Sequence, residues 1–289
     1  MKAIHRKPGF LLGIGVLAAS SSAVLIRFAS DAEPLAIAFW RCAAGALILA
    51  PAAFMAGEMS FRRLALPGIA GAFLAFHFAT WISSLDYTTV AASVLLVSTT
   101  PVLVGLVSHI GGHRLGGLGW WGIALALGGT ALIAGDPSGA RTLGSVLALG
   151  GAIGGAGYFL AGERARRELG IATYAAVTYA VAALLIGAVV LGSDIPLSGY
   201  DRTTWLALVG LIVGPQLLGH TLINFALAGI DATTVTVAIM AEPVIAIALA
   251  FFFLAEAPTT AVFPGGAAIL LGIYLVSRVR RAMPAVVTD

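Results

Sequence analysis

Leu85-Asp86-Tyr87-Thr88-Thr89-Val90, followed by Thr99-Thr100-Pro101-Val102, returns 142 residues later as Leu227-Ala228-Gly229-Ile230-Asp231-Ala232 and Ala241-Glu242-Pro243-Val244, alignable without a gap. Both prolines lie deep inside apolar runs. Self-similarity at about half the chain length says that one unit was doubled. The copies differ where they are most alike, because Thr100 precedes the proline in one and Glu242 in the other.

Working outward, the apolar runs dominate the chain. Of its 289 residues 60% are hydrophobic and only 10% charged, and the mean hydropathy is +1.01. Soluble domains are about a quarter charged, so a water-facing surface cannot be covered with what is here. Residues 10–26, 35–55, 90–107 and 232–254 form stretches each long enough to cross ~30 Å of hydrocarbon as a helix. The composition implies an all-α, multi-pass membrane protein. Met1-Lys2-Ala3-Ile4-His5-Arg6-Lys7 resembles the basic end of a signal peptide, but the run after it is span-length without an obvious cleavage site before Arg27, so it reads as a retained first helix. Cys42, the single cysteine, excludes an intrachain disulfide. The pI near 9.3 suggests nucleic acid at first sight. However, the basic residues hug span ends, where they act as topology signals among membrane lipids, and no nucleic-acid partner is expected. No stretch is long and polar enough for a second, soluble domain.

Breaks marked by Pro, Gly and charge divide the chain into ten apolar segments, roughly 9–29, 34–56, 64–85, 88–110, 117–135, 143–163, 172–192, 203–226, 232–254 and 260–278. The weakest break is Asp86-Tyr87. A cytoplasmic N-terminus then puts Lys2, Arg6, Lys7, Arg62, Arg63, Arg114, Arg164, Arg166, Arg167, Arg278, Arg280 and Arg281 inside. Arg141 and Arg202 fall outside, and Arg27 and Arg41 within spans. Twelve against two is the asymmetry of the positive-inside rule, and one span more or fewer would scramble it. The expectation is ten transmembrane helices with both termini cytoplasmic. Five per unit makes the repeat inverted, with residues 1–137 and 138–281 as the two halves and 282–289 as a short cytoplasmic tail. Inverted repeats are how many carriers are built.

The 36 glycines often recur four residues apart, as in Gly150/Gly154, Gly151/Gly155 and Gly9/Gly13, a spacing that lets helices approach closely in lipid. Gly13-Ile14-Gly15-Val16-Leu17-Ala18 matches a dinucleotide fingerprint only superficially, because no strand precedes it. Intramembrane polar residues are more telling, since each costs free energy unless a partner or wet cavity receives it. Gln216, His220 and Asn224 fall at i, i+4, i+8 on one helix face, and they include the only Gln and Asn of the chain. His77, Trp81 and Ser84 make a parallel stripe one position from register with His220 in the repeat. The two histidines are therefore expected to line one cavity, as hydrogen-bond donors or as proton carriers.

Glu242 lies midway along the ninth span, where a charged carboxylate costs roughly 2.5–3.5 kcal/mol on insertion scales unless protonated, paired or wetted. Pro101 and Pro243 free a backbone carbonyl one turn back and bend their helices. Glu242 is thus either a substrate-site carboxylate or a structural one bonded to a neighbouring helix or to Arg41. Arg41, deep in the second span, needs a partner too, with Glu242 and backbone carbonyls as candidates. Phe73, Phe76, Phe78, Trp81, Tyr158 and Phe159 either build an apolar pocket or pack against lipid.

This pattern resembles the EamA branch of the drug/metabolite transporter superfamily over essentially the whole chain. The likeness rests on Thr89-Val90-Ala91-Ala92-Ser93-Val94 … Thr100-Pro101, on Thr233-Thr234-Val235 … Ala241-Glu242-Pro243-Val244, and on Gly-rich fifth helices at Trp121-Gly122 … Leu127-Gly128-Gly129 and Pro264-Gly265-Gly266 … Leu271-Gly272. Trp40-Arg41 is similar to the second-helix arginine position. Within the branch the chain looks most like YddG-type exporters of aromatic and other amino acids, which also extrude cationic compounds. The resemblance implies a basket of ten helices around a cavity lined by helices 1, 3, 4, 6, 8 and 9. Carried over by position, Ser98, Thr100, His77, Trp81 and Tyr158 would face it. Thr100 stands where some relatives carry a bulky aromatic, which widens the range of substrates.

The expectation is a secondary transporter in a bacterial cytoplasmic membrane, exporting amino acids and related metabolites by alternating access without a cofactor, with proton coupling open. His77, Trp81, Ser98, Thr100, Tyr158, Gln216, His220 and Glu242 would hold the substrate. The rivals are a drug or organic-cation exporter of the same fold, for which Glu242 partly supplies the acid, and an intramembrane enzyme. Nucleotide cargo would want several basic residues in the cavity, and Arg41 alone is deep. No zinc-protease or serine-protease motif supports an enzyme.

Overall fold

The computed structural model describes residues 8–110, 116–134 and 142–281. Lys2, Arg6, Lys7, Arg114, the Asp136–Arg141 connection and the 282–289 tail lie outside the described residues. Among the described residues no strand forms. The chain runs through α1 (Pro8–Phe28), α2 (Pro34–Ala56), α3 (Phe61–Ser84), α4 (Val90–Val97 continuing as Thr100–Ile110), α5 (Gly117–Ala134) and α6 (Thr142–Ala165). It continues through α7 (Ile171–Gly192), α8 (Arg202–Ala226), α9 (Ala232–Ala238 continuing as Ala241–Leu254) and α10 (Val262–Arg281). Eight of these are long and apolar enough to span a bilayer, and the apolar parts of α5 and α10 are shorter, Gly117–Ile133 and Val262–Leu275.

Polar residues in the short connections start the helices. Thr89 Oγ1 accepts the Ala92 N–H at 3.1 Å, Asp201 Oδ1 that of Thr204 at 2.6 Å, and Asp231 Oδ1 that of Thr234 at 3.0 Å. Each satisfies an N–H that the first turn leaves unpaired. Pro34 opens α2, where its missing N–H costs nothing, and Gly57 ends it at φ 67°. Leu47, Phe54, Met55, Leu184, Leu191 and Phe252 point outward and exposed. Such a surface is a hazard in water and the natural face toward hydrocarbon.

The packing has a two-fold pattern. Matching α1–α5 in order to α6–α10, the large α3–α6 contact is the image of α8–α1, and α3–α7 that of α8–α2. The extensive α2–α7 and α5–α10 contacts are their own images. Small residues make those crossings possible. A Cβ on Gly129 would fall 2.5 Å from the Gly265 carbonyl oxygen, and one on Gly272 2.5 Å from that of Gly122. Backbones this close gain dispersion, the main packing force available in lipid. Gly272→Leu is therefore expected to prise α5 from α10 and cost roughly 1–3 kcal/mol or more. The readout is a lower melting temperature in detergent, and an unchanged melt would refute the close crossing.

Two helices break before their prolines. α4 is interrupted at Ser98–Thr99 and α9 at Ile239–Met240. Pro101 and Pro243 have no N–H, so the carbonyls of Val97 and Ile239 lose their helical partner. In α4 the Thr100 hydroxyl donates to Val97 O at 2.8 Å, whereas in α9 the backbone N–H of Glu242 donates to Ile239 O at 2.8 Å. The threonine side chain is absorbed in repairing the break. The glutamate side chain is not.

The middle of α8 is a π-helix, Ile212–His220, with Pro215 inside it. Its wider turn appears as the Thr221 N–H bonding Gln216 O, five residues back. α3, the corresponding helix of the other half, is α-helical throughout.

Candidate functional site

α1, α3, α4, α6, α8 and α9 surround an internal cavity. His77 and Trp81 reach it from α3, Ser98, Thr100 and Pro101 from α4, His220 from α8 and Glu242 from α9. Ser22 of α1 and Phe159 of α6 complete the part that matters below. His77 with His220, and Thr100 with Glu242, are pairs from corresponding helices of the two halves. Both members of each pair face one void.

The His77 Nδ1 lies 2.7 Å from the Gly151 carbonyl, and its ring stacks on Trp81 with centroids 5.8 Å apart and planes at 15°. A carbonyl oxygen only accepts, so Nδ1 carries the proton and Nε2 of the neutral ring is an acceptor. α6 reaches this face through glycine, since a Cβ on Gly154 would sit 2.7 Å from the His77 nitrogen and one on Gly151 2.8 Å from the Trp81 Cβ. His220 packs edge-on to Phe78 at 5.2 Å and to Tyr158 at 6.1 Å, and its Nδ1 has no hydrogen-bond partner among the described residues. Glu242 stands on the cavity wall within electrostatic reach of Arg41. Its side chain ion-pairs with none of the described residues, whose ion pairs are Arg27–Glu256 and Arg167–Glu163.

Gln216 and Tyr158, expected in the cavity, lie behind its wall instead. Gln216 is fully buried and accepts the Arg41 Nε–H at 3.0 Å on Oε1. Tyr158 is buried and bonds the Asn224 amide through its hydroxyl. The i, i+4, i+8 stripe assumed a regular α-helix, and the π turn ending at His220 breaks that register. Of the stripe only His220 stays on the wall. The aromatic cluster divides in the same way: Phe73 and Phe76 face outward, Phe78 and Tyr158 are buried, and Trp81 and Phe159 line the cavity.

Arg41 finds partners that its sequence neighbours do not announce. Besides Gln216, its Nη1 donates to the Ser22 hydroxyl at 3.0 Å, and its guanidinium carbon lies 4.1 Å from the Phe78 ring centre. Ser22 is thus a site residue that the sequence reading missed, and Phe78, one of its pocket candidates, covers the guanidinium instead. Three consecutive serines at 20–22 in a membrane span were the available signal. Ser20 and Ser21 bond back to Val16 O and Ala18 O, at the joint where α1 kinks.

One end of the cavity helices is tied by charge. Glu256, just beyond α9, accepts the Val90 N–H at 2.5 Å and lies 3.7 Å from Arg27 Nη2, which also donates to Thr88 O at 3.0 Å. The knot joins the ends of α1 and α9 to the start of α4. No group of three or more His, Cys, Asp or Glu side chains placed to hold a metal ion occurs among the described residues.

A helical fold of apolar helices around an internal cavity can be compared directly with known families. The model of the EamA-like transporter family matches residues 7–135 and again residues 142–278. The chain belongs to the EamA-like transporter family. It is a multi-pass membrane transporter rather than an enzyme. This EamA-like transporter is also 25% identical over 258 residues to the uncharacterized transporter YwfM of Bacillus subtilis (strain 168), across 87% of this chain and 86% of that one. A solved crystal structure, at 20% identity, superposes with a TM-score of 0.71 over 96% of the transporter and 99% of the solved chain, a likeness of fold.

Proposed function

We propose that this EamA-like transporter exports amino acids, neutral and aromatic ones foremost, and related metabolites across the bacterial cytoplasmic membrane by alternating access. The observation that carries this reading is the mixed wall of the cavity. Trp81 and Phe159 offer aromatic surface to a side chain, while Glu242, which ion-pairs with none of the described residues, offers an acceptor to an ammonium group. The α4 and α9 breaks lie on the same wall, so bending there reshapes the site that holds the cargo.

The topology that supports export has ten spans, with α5 and α10 counted among them, and both termini in the cytoplasm. The halves 1–137 and 138–281 are then inverted copies that rock about the cavity, and the Arg27–Glu256 knot lies on the outer face. His77 and His220 supply hydrogen bonds to the polar end of the substrate, and the Ser98 and Thr100 hydroxyls, whose protons go to Val94 O and Val97 O, act towards it as acceptors. Protons are the natural coupling ion for a wall bearing Glu242 and two histidines. A second reading, export of organic cations, draws on the same uncommitted carboxylate.

Liposomes containing the purified protein and a panel of labelled amino acids, with and without an imposed pH gradient, test both. Saturable movement of aromatic amino acids, accelerated by a proton gradient, is expected. Movement of organic cations but of no amino acid would sink the primary reading.

A further inference from the structure

Arg41 is a full positive charge in the middle of α2 with no exposed surface. α2 does not wall the cavity, yet the guanidinium lies one side chain behind it on two flanks. Ser22, which accepts its Nη1–H, is on the wall, and so is His220, which packs against the Phe78 ring that covers the guanidinium.

Ser22, Gln216 and the Phe78 ring accept this cation only in part. No carboxylate among the described residues ion-pairs with it. Its Nη2, the Gln216 Nε2 and the His220 Nδ1 are all buried without a hydrogen-bond partner among the described residues. The Gln216 amide cannot be turned to repair this, because the Arg41 Nε–H requires its oxygen. The cluster therefore has more donors than its acceptors satisfy, and a buried arginine whose attracting carboxylate, Glu242, makes no ion pair with it is costly at membrane depth. A carboxylate answers both needs, since two oxygens match the planar fork of a guanidinium and one negative charge matches one cation.

We infer that Arg41 is the anchor for the carboxylate of the transported molecule, which displaces Ser22 from Nη1 and takes up Nη2. The inference rests on the amino-acid export reading and deepens it. Arg41 and Glu242 become the two poles of a site for a zwitterion, and a cation without a carboxylate is a poor cargo.

The test measures binding of four probes to the full-length protein in detergent: phenylalanine, phenylalaninamide, 3-phenylpropionate and 3-phenylpropanamide. In the wild type each acid is expected to bind at least tenfold more tightly than its amide. Arg41→Gln should close that gap, and Arg41→Lys, which keeps the charge and loses the fork, should narrow it. Should Arg41→Gln not fold, the lysine variant carries the comparison. Ser22→Ala, which releases Nη1, should tighten the acids alone. Equal binding of acids and amides overturns the anchor and leaves amino-acid export standing. A gap that persists in the Arg41 variants overturns it as well, because the carboxylate is then read elsewhere, and so does failure of both acids to bind. Binding of 3-phenylpropionate through Arg41 without binding or uptake of phenylalanine upholds the anchor and sinks amino-acid export.

Discussion

Glu242→Gln is expected to cut amino-acid transport at least tenfold while leaving the melting temperature unchanged or raised. The carboxylate lines the cavity and makes no ion pair with a described residue. A charge-assisted hydrogen bond to a substrate ammonium contributes about 1.5–3 kcal/mol, which corresponds to roughly ten- to a hundredfold in affinity. Glutamine keeps the shape and loses the charge. Removing an unpaired carboxylate at this depth also relieves an insertion cost of roughly 2.5–3.5 kcal/mol, in so far as the cavity does not already wet it. A structural glutamate serving only to bend α9 predicts the opposite pair of results, with transport kept and stability lowered. Measuring both on one preparation separates the two, and retained transport with a lower melting temperature would establish the structural role.

The second large effect is at the α3–α6 crossing, the most extensive helix contact in the molecule. Gly154→Ala would place a Cβ 2.7 Å from the His77 nitrogen and 2.8 Å from its Cα. Backbone cannot swing aside as a side-chain tip does, so the helices must part, carrying His77 and Trp81 from their places. Overpacking of this kind costs typically about 1–3 kcal/mol. One turn away, Gly150→Ala meets nothing nearer than Thr80 at 3.4 Å and is expected to change stability by no more than about 0.5 kcal/mol. Thermal unfolding of the two variants in detergent gives the comparison. Equal melting temperatures would contradict the close approach at Gly154, and any Gly154→Ala protein that remains folded should bind phenylalanine more weakly.

These expectations draw on different sources of knowledge. The membrane class, the positions of the helices, the repeat and the bends at Pro101 and Pro243 are legible in the chain itself. Each depends on local properties: hydropathy over a window, a proline's missing N–H, charge at a span end. Glu242 stood out for the same reason, as a carboxylate inside an apolar run, and so did the two histidines. The glycine stripes announced close crossings without naming the partners.

Only the tertiary structure decided which polar residues reach the cavity. In lipid both the packed and the outward face of a helix are apolar, so hydropathy does not tell which way a helix is turned. The π turn in α8 then moved Gln216 off the face that a regular helix would give it, and Asn224, on the α-helical turn that follows, is spent on Tyr158, leaving His220 alone on the wall. Arg41 made the same point from the other direction. Its partners are Gln216, 175 residues away, and Ser22, across a helix boundary, and no local pattern could have joined them. The sequence alone determined that a carboxylate and a cation lie at membrane depth. It took the packing of α1, α2, α3 and α8 to keep them from forming an ion pair, because Ser22, Gln216 and the Phe78 ring take up the guanidinium and leave Glu242 on the cavity wall.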